Sequence, residues 1–408
     1  MTKLEKLLKY VSEHNDFYKN RIKEYGIKDP LDITQWPVLT RKELQENRYN
    51  MFSDGYKSKY YNQRLRRQSS SGSSGMPVNV YWDYKDWYVS NLSVWRLRHK
   101  WYGISPNDKC VMFTLNVFNI QNDGDTVYYL TNPSSVLFVN VSLIYDDQGY
   151  IKLLDIINEY RPKWMYIQPF VLNKLIRAYK CSKKTPPSSL KYIESVGELL
   201  SLELKKKATD FFEVSLANMY GSEEMNSIAI ESPNGKMTIL DSNVFVEIKT
   251  KTEITQFGNG EAIVTNLNNL CQPLIRYNQG DSIIISNDLI DDKTRVIELI
   301  KGRTLDSFII NDDEEINSIM LLEMMAEINN YFPQVIKEYN FMFDTKKVSL
   351  KCYLTIEPSK KEWFVAVKSA IIKSFQQKIF PLNSCSIEVM SSKERACLCK
   401  KNPVLTIE

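Results

Sequence analysis

Apolar residues recur at helical spacing from the start of the chain. Leu4, Leu7, Leu8 and Val11 share one face, Phe17, Tyr18 and Ile22 extend the pattern, and residues 3–25 are predicted helical. Thr40 with Glu43 three positions on reads as a capping box that starts another helix. Val78-Asn79-Val80-Tyr81-Trp82 alternates like a strand, and residues 84–102 form an aromatic-rich amphipathic helix. Residues 109–115 read as a short buried strand. Strand and helix then alternate: strands at 136–144, 164–167, 192–196 and 214–217, helices at 150–160, 169–179 and 202–212. Strands spaced by helices of this length imply a parallel sheet covered on both faces.

The pattern then changes twice. Short alternating strands at 244–249, 261–265, 282–286 and 295–299, with turn residues between them, predict a more antiparallel β subdomain. Beyond Gly302-Arg303, helices at 316–332 and 362–379 and strands at 348–356 and 386–389 predict a small α+β unit. The expected fold is α/β: a large N-terminal domain over residues 1–303, with mostly parallel helix-covered sheets and a β subdomain, and a small C-terminal α+β domain over 304–408.

Composition narrows the function. The 408 residues are 43% hydrophobic and 25% charged, ordinary for a soluble globular protein. The net charge of +4 comes without a long basic block, which argues against a nucleic-acid partner. The N-terminus lacks an apolar signal core and no apolar run is long enough for a bilayer, so a cytoplasmic location without membrane attachment is expected. Seven cysteines without a C-x-x-C pair, and only His14 and His99, make a zinc site or a His-based triad improbable.

The candidate chemistry begins at Ser71, Gly72, Ser73, Ser74 and Gly75, preceded by the polar run Arg64, Arg66, Arg67, Gln68 and closed by Pro77. Two glycines let the backbone turn its N–H groups toward one point and the hydroxyls add donors, a nest for a phosphate chain. Composition alone equally describes a flexible linker, but the apolar flanks and short length favour the nest. No Gly-Lys-Ser/Thr follows, so it is not a Walker loop. Further along, Gly197-Glu198 lies at a strand end, where ligands of open α/β sheets collect. Tyr220-Gly221-Ser222-Glu223-Glu224 places a stacking ring, a hydroxyl and a carboxylate able to hold Mg²⁺ after the next strand. Arg276 leads to a Gly280-Asp281 turn whose carboxylate could grip vicinal hydroxyls, and Gly302-Arg303 precedes Asp306 where the pattern changes. Singly, each also reads as core, solvated face, hairpin turn or surface ion pair.

In this order the motifs resemble the adenylate-forming superfamily of acyl-CoA synthetases and adenylation domains, most closely its phenylacetate–CoA ligase branch with the capsule-biosynthesis-type relatives. His14 to Tyr18, Trp36 to Lys42, Ser71 to Gly75, Tyr220 to Glu223, Thr265 to Leu267 with Pro273 to Asp281, and Gly302-Arg303 with Asp306 carry the likeness. The resemblance implies that Ser71, Gly72, Ser73, Ser74 and Gly75 hold the ATP β/γ-phosphates and that Gly197 and Glu198 line the adenine and acyl pocket. It implies that Tyr220 stacks on adenine beside Gly221, Ser222 contacts the α-phosphate and Glu223 binds Mg²⁺. Asp281 would take the ribose hydroxyls, with Arg303 beside ribose and phosphate. The implied reaction joins a carboxylic acid to ATP as acyl-AMP with release of pyrophosphate. The C-terminal domain then rotates, and a thiol of CoA or of the phosphopantetheine arm of an acyl- or peptidyl-carrier protein takes the acyl group.

Three positions depart from the family pattern. Met76 stands where a lysine is frequent and Leu305 where the hinge aspartate is frequent. The C-terminal lysine motif is degenerate: Lys400 fits best, with Lys393 and Lys401 as competitors. The acid is read as an aryl or other small hydrophobic acid, with Phe118, Asn119, Tyr166 and Gln168 forming its wall by their placement near strand ends. The rival readings are a nucleotide-binding regulator with impaired chemistry, and an adenylating enzyme that hands its acyl group to an amine or hydroxyl.

Overall fold

The computed structural model describes residues 1–69, 78–114, 128–131, 135–141, 144, 147–287, 289, 294–303, 307–311, 314–317, 321, 324–325, 328, 331–332, 335–344, 349–375, 386–391 and 405–407. Helix α1 (Lys3–His14) opens with a capping box between Thr2 and Glu5. It stops at Asn15, whose side-chain oxygen accepts the Tyr18 N–H and starts α2 (Asp16–Glu24). The helical stretch expected over 3–25 is divided into two helices here, because an extended Asn is a better cap than a helix interior residue. Thr40 and Glu43 make the expected capping box on α3 (Arg41–Asn47). After α4 (Tyr56–Tyr61), β1 (Arg66–Ser69) and β2 (Asn79–Trp82) pair antiparallel, from Arg66–Trp82 to Ser69–Asn79.

Helix α5 (Tyr84–Tyr102) keeps the expected bounds, ending on Gly103 at φ +65°. Then come β3 (Cys110–Thr114), β4 (Tyr128–Leu130), β5 (Val136–Asn140), α6 (Asp147–Tyr160), β6 (Trp164–Ile167), α7 (Pro169–Ser182), β7 (Tyr192–Val196), α8 (Leu202–Phe212) and β8 (Ser215–Ser222). Strands β5, β3, β6, β7 and β8 lie side by side and parallel, as the strand–helix alternation requires. One face packs on α6, α7 and α8 through Val111, Ile167, Leu172, Ile193 and Phe212. The other carries Cys110, Trp164, Tyr192 and Ala217 beneath Trp95 and Tyr102 of α5.

The antiparallel part consists of β9 (Asn226–Glu231), β10 (Met237–Ile239), β11 (Val244–Lys249), β12 (Ile254–Thr255), β13 (Gly258–Asn266), β14 (Tyr277–Ile285) and β15 (Val296–Arg303). It is not a separate sheet. It continues the parallel strands in one thirteen-stranded sheet ordered β12-β11-β13-β14-β15-β10-β9-β8-β7-β6-β3-β5-β4. The N-terminal helices pack into this half through Leu7, Leu8, Tyr18 and Trp36 against Val246, Val264, Leu274 and Tyr277.

Beyond Arg303, β16 (Ser307–Asn311) and β17 (Glu314–Asn317) form an antiparallel pair. Strands β18 (Ile336–Asp344), β19 (Ser349–Ile356), β20 (Ser386–Ser391) and β21 (Leu405–Ile407) form a second sheet, ordered β20-β19-β18-β21, with α9 (Phe364–Ser374) beside it. This region has its own apolar cluster, including Leu321, Met325, Phe341, Leu350 and Val367. The helix expected from residue 316 begins later, because Ile316 and Asn317 belong to β17.

Candidate active site

Strand β8 runs further than the sequence pattern indicates. Tyr220, Gly221 and Ser222 are its last three residues, and the expected end at Ala217 is corrected. A register shift at Tyr220/Gly221 brings β9 close. A methyl group on Gly221 would lie 2.3 Å from the carbonyl oxygen of Asn226, so the glycine is needed for strand packing. Ser222 Oγ accepts the Met225 N–H at 3.2 Å and closes the β8–β9 turn. That turn separates the two carboxylates. Glu224 points inward, 4% exposed, and accepts the Tyr277 hydroxyl at 3.3 Å. Glu223 points out toward the β1–β2 ribbon, where Gln68 Nε2 donates to its Oε2 at 3.0 Å and to Asn226 Oδ1 at 3.3 Å. Crowding by protein and the Glu224 charge push the Glu223 carboxyl above its ordinary range, opposed by Gln68 and Arg66.

The Tyr220 ring is 8% exposed, and its hydroxyl donates to Asp281 Oδ2 at 2.7 Å. Three strands lie between β8 and β14 in the sheet, so this contact exists only because the sheet curls back on itself. Gly280 and Asp281 do not form a hairpin turn as expected. They sit inside β14, in a bulge where Gln279, Gly280 and Asp281 oppose the single residue Ala262. Gly280 takes φ +72° there. Such a bulge re-aims the following side chain, here Asp281. Arg303 is the last residue of β15, paired in register with Asp281.

At the neighbouring strand ends, Gly197 takes φ +79° just after β7, and a methyl group on it would come 3.7 Å from Gln168 Cγ. Glu198 keeps a face open to solvent, accepts the Phe170 N–H at 3.4 Å, and has its carboxyl pushed up to about 7 by burial of the rest of the group. Gln168 caps the start of α7 and donates from Nε2 to the Phe113 carbonyl at 3.2 Å. Its buried Oε1 has no partner among the described residues. Tyr166 lies on β6, where burial and the nearby Glu194 raise its hydroxyl far above the ordinary range. Ser71, Gly72, Ser73, Ser74, Gly75, Phe118, Asn119 and Lys400, with its competitors Lys393 and Lys401, lie outside the described residues, as does the Arg303 side chain.

Sequence reasoning did not single out Gln68. Its only signal is position: it shares a face of β1 with Arg66, two residues away, just ahead of the Ser/Gly stretch. Beside Glu223, the buried Gln68 Oε1 has no donor among the described residues. One exposed carboxylate and one free amide oxygen suit Mg²⁺, which takes a few protein oxygens and completes its shell with water and phosphate. Among the described residues no three His, Cys, Asp or Glu side chains group to hold a metal. No helix among them is long and apolar enough to cross a membrane.

Residues 68–244 match the sequence model of the AMP-binding enzyme family. The whole chain overlays 2-hydroxyisobutyryl-CoA ligase in its postadenylation state with a bound acyl-AMP, with a TM-score of 0.75 at 16% identity, over 100% of this chain and 88% of that one. The chain has the adenylate-forming ligase fold. The resemblance read from its motifs to the adenylate-forming superfamily is borne out. O-succinylbenzoate CoA synthetase of Bacillus subtilis, solved with AMP, shares the fold with a TM-score of 0.54 at 16% identity, over 83% of this chain and 67% of that one. Protein CapK of Staphylococcus aureus is 22% identical over 392 residues, spanning 84% of this chain and 82% of that protein.

Proposed function

We infer that this adenylate-forming protein activates a carboxylic acid with ATP and Mg²⁺, giving acyl-AMP and pyrophosphate. The observation that carries the reading is the convergence at the end of β8, where Tyr220 reaches Asp281 and Glu223 meets Gln68. Tyr220 offers a ring face for the adenine, and Asp281, aimed by its bulge, accepts from the ribose hydroxyls with Arg303 alongside. Ser222 lies next along the strand for the α-phosphate, and Glu223 with Gln68 Oε1 would hold Mg²⁺. When bound, the ion supplies positive charge against the charge spread over the phosphate oxygens. Ser71, Gly72, Ser73, Ser74 and Gly75 continue the path for the β/γ-phosphates.

The displacement at the α-phosphorus needs aimed donors and cations more than a general base, which fits a chain with two histidines. Glu198, with its carboxyl near 7, holds a proton for much of the time at neutral pH and so repels an incoming carboxylate less. The acid is an aryl or other small hydrophobic one, set against Gly197, Tyr166 and Gln168, with Phe118 and Asn119 in the same wall. Residues 1–303 act as the adenylating domain and 304–408 as a mobile lid that brings Lys400 to the phosphate. The branch is the phenylacetate–CoA ligase-like one, the location cytoplasmic, and the acceptor a thiol of CoA or of carrier-protein phosphopantetheine. The acyl-AMP and AMP bound by the structural relatives support the first half of this reaction.

Product analysis by mass spectrometry tests it. Incubation with ATP, Mg²⁺ and an acid panel should yield AMP, not ADP, and a thioester when CoA or a loaded carrier protein is added. AMP formation with an amide or ester as product moves the acceptor to an amine or hydroxyl. ATP bound without AMP formation for any acid contradicts the enzyme reading.

A further inference from the structure

Among the described residues, four arginines are nearly sealed from solvent, and each is matched by a carboxylate. Arg21 meets Glu43 at 2.6 Å, Arg98 meets Glu194 at 2.5 Å, Arg276 meets Glu247 at 2.8 Å, and Arg295 meets Asp241 at 2.5 Å. This is expected, because a guanidinium removed from water is costly unless paired. Arg66 breaks the pattern. It is half-buried, with its guanidinium carbon 4.1 Å from the ring centre of Trp87, yet no carboxylate among the described residues comes within 4.0 Å of it. Its Nε is buried without an acceptor among the described residues.

The surroundings indicate what is missing. Arg66 shares a face of β1 with Gln68, and Gln68 is bonded to Glu223. The Glu223 carboxylate is near enough to act on the guanidinium electrostatically without forming an ion pair. Tyr84 and Tyr88 approach the same group from α5. The result is a cation fixed on an indole face, with fork donors to spare, next to the carboxylate assigned to Mg²⁺. Guanidinium forks match phosphate oxygens, and stacking limits the entropy lost on binding.

We propose that Arg66 is a phosphate-binding residue that grips the nucleotide's phosphate chain beyond the α-phosphate, opposite Glu223. This rests on the adenylation reading. The placed groups follow one another from Asp281 and Tyr220 through Ser222 to Glu223, Gln68 and Arg66, so nucleoside recognition and terminal-phosphate recognition occupy opposite ends. Arg66 therefore distinguishes ATP and pyrophosphate from AMP.

Calorimetric titration of the full-length protein with MgATP, magnesium pyrophosphate and AMP tests this in wild type, Arg66→Gln, Arg66→Lys and Trp87→Leu. Arg66→Gln should weaken ATP and pyrophosphate about 10- to 100-fold, the loss of a charged bidentate contact, while AMP changes less than about threefold. Arg66→Lys should recover part of the ATP affinity and Trp87→Leu should lose part of it. Retained AMP binding shows that a variant is folded. If Arg66→Gln alone is unfolded, the ATP-to-AMP ratio of Arg66→Lys and Trp87→Leu decides, and an unchanged ratio overturns the proposal. An unchanged ratio in folded Arg66→Gln likewise leaves Arg66 as a packing residue. Wild-type protein that binds AMP but not ATP removes the role of Arg66 alone, whereas binding neither overturns the nucleotide reading with it.

Discussion

Arg98 and Arg66 hold the same charge against tryptophan rings, but their surroundings differ. Arg98 is closed: its Nε and Nη2 grip both oxygens of Glu194, Tyr192 donates to the same carboxylate, and all three are buried. The cluster joins α5 to the centre of the sheet and retains no unused charge. Around Arg66 and Glu223 the capacity is left open among the described residues, with a guanidinium lacking a carboxylate, a carboxylate raised by crowding, and an amide oxygen lacking a donor. Around Arg98 the buried polar groups satisfy one another, whereas around Arg66, Gln68 and Glu223 part of the hydrogen-bonding capacity is left over. Each tolerates the costs of the other poorly, so substitutions in the two regions should separate stability from binding.

The largest effect is expected at the closed end. Arg98→Met leaves Glu194 buried without a cation and should cost about 3–5 kcal/mol in urea unfolding. A loss below about 1 kcal/mol would mean that the cluster is not the closed pair its geometry indicates. At the open end, Asp281→Asn should weaken AMP by about 1.5–3 kcal/mol, read by calorimetry, with a smaller effect on the unfolding midpoint. Equal losses in both measurements would erase the distinction.

The smallest effect concerns Glu198. Its carboxyl titrates near 7 in the folded protein against an ordinary 4.5, so the folded state binds the proton more tightly than the unfolded one. The stability this contributes is complete below about 4.5 and declines as pH rises toward 7. Glu198→Gln should therefore gain stability relative to wild type across that window and level off above it. Its exposed face keeps the effect small. Parallel pH profiles of wild type and Glu198→Gln in urea would remove Glu198 from the open set.

The legibility of the fold in the sequence divides along a similar line. Strands β6 and β7 and helices α5 and α8 have the bounds their local patterns give, because each is set by near neighbours, caps and a buried face. The residue types of the motifs were also legible. Their arrangement was not. Nothing local says that β15 enters between β10 and β14, or that the curl carries Asp281 to Tyr220 across 61 residues of sequence. The bulge at Gly280 looks like a turn because a glycine at positive φ serves both. Glu223 and Glu224 are equivalent on paper, and only the β8–β9 turn sends one outward. Gln68 and Arg66 carry no motif, and their meaning comes from what they lack in three dimensions.

Exchange of labelled pyrophosphate into ATP, run with Mg²⁺ against benzoic, phenylacetic, fatty and amino acids, tests the central claim most directly. Exchange should depend on one class of acid, require Mg²⁺, and fall sharply in Glu223→Gln. Exchange absent for every acid while ATP still binds, or undiminished in Glu223→Gln, would contradict it.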